Sequence, residues 1–242
     1  MLSPLLAIVA WLACGHAVLG GLFWTLLQVP ESTVFTVALS VLLAVMLLVA
    51  TGWVEVAAQL SWTESEAPAR RIRRAAAAVP AFLVSLALFA LVFWLTARAG
   101  QWLIVHRGEI DAWLIAGPGI VKSSPIHAAL GWVLWFVRYG LGLSVALTLL
   151  GQLTVAGVCS IAQPAWLCAA LRPRRLALVA LSIFVFVWLP WQAVYWRPGF
   201  LPPTWFEPAF VAVKLLVFYL VANLGWALAL KVTAAARHSK QD

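Results

Sequence analysis

Six apolar stretches fill most of this chain, at about 4–27, 33–60, 76–97, 127–158, 175–195 and 209–231. A helix that crosses the hydrocarbon core of a bilayer needs roughly 20 apolar residues. Each stretch reaches that length, and little chain is left over for anything else. Of the 242 residues, 64% are hydrophobic and 10% are charged, with a mean hydropathy of +1.00. Soluble domains run at about 45–50% apolar and about 25% charged. A core of this size cannot hide so much apolar surface from water, and a bilayer can. The reading is an all-α polytopic integral membrane protein with about six transmembrane helices. Residues 1–242 form a single transmembrane helical domain, with a short interfacial helix on the outer side.

The breaks carry helix punctuation. Pro30 closes the first span, and Ser32 or Thr33 caps the second. Ser123 and Ser124 offer a cap followed by Pro125 in the first turn, and Pro208 serves the same purpose before the last span. The opening MLSPLL lacks the positive charge of a signal peptide, and WLAC is a poor lipoprotein box, so the first span is read as retained.

Basic residues set the expected orientation. Arg70, Arg71, Arg73 and Arg74 follow span two, Arg172, Arg174 and Arg175 follow span four, and Lys231, Arg237 and Lys240 follow span six. The opposite side carries Arg98, Arg107, Lys122 and Arg197, so the balance is ten against four. That bias puts both termini in the cytoplasm. The excess of Arg over Lys and the many alanines point to a bacterial inner membrane. The net charge of +8 is then a property of loops facing anionic lipid rather than of nucleic-acid binding, because no basic segment is long enough to form a binding domain. Membrane lipids are the expected partners. The arginine loops (Arg70, Arg71, Arg73, Arg74, Arg172, Arg174, Arg175) are the place for a protein partner.

Twelve of the fifteen tryptophans fit interfacial belts. Trp24, Trp94, Trp102, Trp113, Trp188, Trp191, Trp196 and Trp205 fall near the outer interface, and Trp53, Trp62, Trp166 and Trp226 near the inner one. In residues 100–119, Leu103, Ile110 and Leu114 share a helical face opposite His106, Arg107, Glu109 and Asp111, the pattern of a helix lying on the membrane. AQLSW at 58–62 and AQPAW at 162–166 both precede arginine clusters, as a duplicated helical hairpin would. Small residues recur at helical spacing in span one (Ala10, Ala13, Cys14, Ala17, Gly20, Gly21) and span four (Gly140, Ser144, Thr148, Gly151), and are read as packing seams.

Catalytic chemistry finds few residues to use. The only aspartates are Asp111 and Asp242, outside every span, so an intramembrane aspartyl dyad or an acid cluster for metal-dependent phosphate transfer cannot be built. His16, His106, His127 and His238 are scattered, and Cys14 and His16 lie on different helix faces. Cys14, Cys159 and Cys168 read as small buried hydrophobes. Gly142-Leu143-Ser144 loosely suggests a nucleophile turn but falls within a span. No catalytic residue, metal site or cofactor is expected.

Ionisable groups inside spans remain, and these are functional candidates by default. Arg138 lies 11 residues into span four, about 16 Å deep at ~1.5 Å per residue and near the middle of a core about 30 Å thick. His16 reaches a similar depth, with Asn223 and Gln152 a little lower. Glu55 is placed near the cytoplasmic interface, about 15 Å from Arg138, as a possible proton carrier that solvent largely satisfies. Lys214 enters the last span and either snorkels outward or joins Arg138 on a cavity. The ligand-binding candidates are Arg138, Lys214 and His16. The expected function is a non-catalytic, permease-type component that accommodates an amphipathic or anionic substrate near Arg138. The alternative is a structural or scaffold subunit of a membrane complex, and a membrane-embedded enzyme comes third.

Overall fold

The computed structural model describes residues 4–30, 32–63, 68–117, 124–196 and 206–234. Six helical segments are long and apolar enough to cross a membrane. The first two are α1 (Pro4–Gln28) and α2 (Val34–Thr63). A short α3 (Pro68–Ala77) leads into the third, α4 (Val79–Val105), which ends where α5 (Arg107–Ala116) begins. The fourth is built from α6 (Ser124–Phe136) and α7 (Leu143–Ala156), joined by a π-helical segment at Val137–Gly142. A 3₁₀ turn at Val158–Ala162 and α8 (Ala165–Ala170) connect it to the fifth, α9 (Pro173–Ile183) and α10 (Leu189–Tyr195), joined by a second π-helical segment at Phe184–Trp188. The last is α11 (Phe206–Ala234).

The predicted spans and the observed helices agree in number and order, and the ends move. Residues 100–105 continue α4 instead of belonging to the surface helix, so Leu103 is not on one face with Ile110 and Leu114. The break falls at His106, whose ring stacks on Trp102 and whose Nδ1 meets the Trp102 carbonyl at 3.0 Å. His127 Nε2 lies 2.7 Å from Asp111 Oδ1 and holds α5 against α6. The arginine loop after α2 is itself a helix, α3, seated on α2 by the Trp53 indole donating to the Ile72 carbonyl at 3.2 Å. AQLSW lies within α2, whereas AQPAW straddles the break before α8, so the two echoes have unlike local structure. Lys122, Ser123, Arg197, Trp205, Arg237, His238, Lys240 and Asp242 lie outside the described residues.

In lipid, apolar surface gains little by moving from tails to a neighbouring helix, so packing and interhelical hydrogen bonds decide the assembly. The closest approaches occur at glycines. A Cβ on Gly15 would sit 2.7 Å from Val54 Cγ1, which brings α1 onto α2, and the Trp11 indole donates to the Val54 carbonyl at 3.1 Å beside it. A Cβ on Gly225 would sit 2.3 Å from Phe186 Cβ, which presses α11 onto the second π segment. Spans four and five share an aromatic column in which Phe184 stacks on Trp188 at 4.9 Å and meets Trp135 edge-on at 5.9 Å. Exposed Val34, Phe35, Val41 and Leu42 line one flank of α2, as expected of a surface facing acyl chains.

Gly225→Ala is expected to cost about 1–3 kcal/mol, because neither Phe186 Cβ nor the helix backbone behind it can give way. The thermal unfolding midpoint in detergent measures it, with Gly20→Ala, where a Cβ meets nothing, as the neutral comparison.

Candidate functional site

Three helices converge on one buried carboxylate. Glu55 on α2 is only 6% exposed. Its Oε1 lies 2.9 Å from His16 Nε2 on α1, and its Oε2 accepts the Trp226 indole N–H on α11 at 2.6 Å. The other imidazole nitrogen, Nδ1, lies 2.7 Å from Asn223 Oδ1. One turn earlier on α11, the Tyr219 hydroxyl donates to the Ala13 carbonyl and closes α11 onto α1. Gly15 is what allows His16 to come this near α2.

The hydrogen-bond directions follow from the donors. The Asn223 amide nitrogen donates to the Tyr219 carbonyl at 2.8 Å, so its oxygen faces His16. An amide oxygen only accepts, so His16 Nδ1 carries a proton and donates it. One proton then lies between His16 Nε2 and Glu55 Oε1. It makes the pair either imidazolium with carboxylate or imidazole with carboxylic acid, and both states are neutral overall. A neutral pair is what a low-dielectric interior tolerates, since an isolated buried charge is costly and a paired one much less so.

A cavity of about 380 Å³ adjoins the pair. Glu55 and Trp226 form part of its wall, and Phe82, Phe89 and Tyr139 add aromatic faces. The rest is aliphatic apart from Thr51 and Ser85, whose hydroxyls donate back to the Leu47 and Ala81 carbonyls at 2.7 and 3.0 Å. Tyr139 comes from the first π segment and Val187 from the second, so both π turns border the space. A largely apolar cavity with a few convergent polar groups is the usual form of a small-molecule site, and π-helical turns gather at functional sites.

The predicted candidates divide between this site and elsewhere. His16 and Glu55 are brought together. Glu55 is not an interfacial acid satisfied by water, because protein donors hold both its oxygens. His16 and Asn223 pair with each other and not with Arg138. Arg138 belongs to the first π segment, where its Nε donates to Thr96 Oγ1 at 3.0 Å and its guanidinium lies 4.2 Å from the Phe93 ring centre. Tyr139, the next residue, is the one that reaches the cavity. Lys214 donates to the Val194 and Trp196 carbonyls at 2.5 and 2.7 Å, which ties α11 to the end of α10. Trp226 is the second donor to Glu55. Arg175 is 7% exposed beside Thr148, so it leaves the set of arginines open to a partner. Arg70, Arg73, Arg172 and Arg174 are exposed, and Arg71 donates to Ser61 Oγ at 3.1 Å. Ser144 is fully buried and donates to the Ala170 carbonyl at 3.0 Å. Cys14, Cys159 and Cys168 are free and exposed, contrary to the reading as buried hydrophobes.

Tyr219, Asn223 and Trp226 were not seen as a set. Their signal was present: they recur at i, i+4 and i+7, a polar stripe along a helix that is otherwise almost wholly apolar. In comparisons with protein-family models, with curated proteins and with solved structures, nothing matches this chain.

His16→Leu leaves Glu55 without its proton partner and is expected to cost about 3–5 kcal/mol, as breaking a buried pair does. His16→Leu combined with Glu55→Leu is expected to recover most of that loss. Unfolding midpoints of the two single variants and the double variant complete the cycle. Simple addition of the two single losses would show that the pair is not coupled.

Proposed function

We propose that this membrane protein is a permease-type component whose substrate site is the cavity beside Glu55. In this reading the His16–Glu55 pair binds and releases a proton as the site fills and empties. The observation that carries it is the buried His16–Glu55 contact of 2.9 Å, with Glu55 on the wall of a largely apolar cavity. Buried ionisable groups within a bilayer are costly to keep, and proton relays are a common reason for keeping them. An amphipathic substrate fits the wall, with its apolar body against the aliphatic and aromatic lining and its polar end toward Glu55. Access from the bilayer is favoured by Leu86, a lining residue that is also exposed on the outside of the bundle.

The same proposal includes an inner-membrane location with both termini cytoplasmic, supported by the basic bias already described. It makes Arg70, Arg73, Arg172 and Arg174 the contacts for anionic lipid or a partner protein. Arg138 is then a packing residue that holds the first π segment against α4 through Thr96 and Phe93.

Cells expressing the protein, exposed to a panel of amphipathic dyes of either charge and of none, are expected to accumulate at least one dye differently from control cells. Glu55→Gln, made to the same level in the membrane, is expected to abolish the difference. If no dye of any charge responds, the permease reading falls. An equal response in Glu55→Gln removes the proton pair from it.

A further inference from the structure

The wall of the cavity also specifies the charge of what it takes, an inference that rests on the cavity being a substrate site. The acid of the pair faces the space, for Glu55 lines it and His16 does not. The donors around it are committed. The Trp226 N–H is held by Glu55, and the Thr51 and Ser85 hydroxyls by their own helices, so oxygen lone pairs face inward. Among the described lining residues, the Tyr139 hydroxyl alone keeps a proton to offer. An anion would therefore meet a carboxylate and one donor. A cation would meet a carboxylate, hydroxyl oxygens and the rings of Phe82, Phe89 and Trp226, whose π systems attract positive charge, while the Tyr139 ring lies 5.9 Å from the Arg138 guanidinium.

We infer that the cavity binds a lipophilic monocation, such as a quaternary ammonium, a phosphonium or a protonated amine on an apolar body, in exchange for the proton shared by His16 and Glu55. The exchange balances: the neutral pair plus one cation becomes carboxylate, neutral imidazole and bound cation, and one proton leaves to water. The site is neutral before and after, so the exchange adds no net charge to the bilayer interior. An anion would instead need a second proton taken up, placed on a pair with no open donor toward the cavity.

Other ionisable groups on the elements packed against α2 are held elsewhere. On α11, Tyr219 donates to Ala13, Lys214 to the end of α10, and Lys231 lies 5.3 Å from the Trp62 ring centre, while Glu207 sits in the first turn. On α3, Arg70 and Arg73 are exposed, Arg71 is bonded to Ser61, and Arg74 is half-buried in the last turn. On α4, Arg98 lies over Trp94, and on α1, Cys14 is exposed. That leaves the His16–Glu55 pair as the proton source.

Tetraphenylphosphonium and tetraphenylborate have nearly the same shape and opposite charge, so they isolate the effect of sign. Both are titrated calorimetrically against the whole protein in lipid nanodiscs, with empty nanodiscs as the blank and two buffers of different ionisation enthalpy to count protons. The phosphonium is expected to bind at least about tenfold more tightly than the borate, a modest gain for one carboxylate and three aromatic rings. It is also expected to release close to one proton per ion. Glu55→Gln is expected to erase both the preference and the release. Ala146→Phe, which fills the space from α7, is expected to abolish binding of either ion while unfolding at a similar temperature. Tighter or equal binding of the borate overturns the cation inference and leaves the cavity reading standing. Absence of binding by either ion to folded protein, or binding that survives Ala146→Phe, overturns both.

Discussion

The proton between His16 and Glu55 is the constraint on which the arrangement of α1, α2 and α11 depends. Inside a bilayer an ionised carboxylate without a counter-charge is costly, and so is an imidazolium. Sharing one proton removes both problems, but only if the two side chains keep hydrogen-bond distance. That requirement fixes the approach of α1 to α2 at Gly15, where a methyl group would collide with Val54. It also fixes the rotation of α11, which must present Asn223 to one imidazole nitrogen and Trp226 to the second carboxylate oxygen. With hydrophobic burial nearly neutral between lipid and protein, these few polar contacts carry much of the specificity.

The cavity has a separate origin in the two π segments. An α-helix closes each turn with i→i+4 bonds and leaves its neighbours evenly spaced. A π turn widens that ring by one residue and pushes the backbone sideways. The first segment packs against α9, where Gly140 comes close to Ala180, and the second packs against α6 through Trp132, Trp135, Phe184 and Trp188. Regular packing would bring the helices together and close the space. The displaced backbones hold it open, with Tyr139 and Val187 on its wall.

Much of this was legible in the sequence, and the failures have physical causes. The six spans follow from run length and punctuation, because backbone satisfaction in lipid allows few alternatives. Glu55 was misplaced because depth was counted along one straight helix at a time. α2 runs on to Thr63, α1 and α2 differ in length, and residues assigned to different levels meet side by side. The same counting put Arg138 and His16 together, whereas Arg138 turns toward Thr96 and Phe93. No periodicity rule announces a π turn, since an apolar run reads alike with or without the extra residue. The arginines after α2 read as a loop because their charge overshadows the short apolar contact that α3 makes through the fully buried Ala75. Nor did the count of basic residues distinguish Arg175, sealed beside Thr148, from its exposed neighbours.

The first π segment also makes span length a matter of angle. Each residue of an α-helix turns the chain by about 100°. A π turn takes up one extra residue locally and leaves the flanking helix in phase, so winding residues 137–142 as regular α-helix with no residue removed would rotate everything after them by about that amount relative to α6. Ser144 would leave the Ala170 carbonyl, and Thr148 would leave Arg175. The wide turn thus absorbs the extra residue and keeps the two halves of one rod in phase. It lets the upper half face the aromatic column while the lower half keeps its small and hydroxylated residues turned toward α8 and α9.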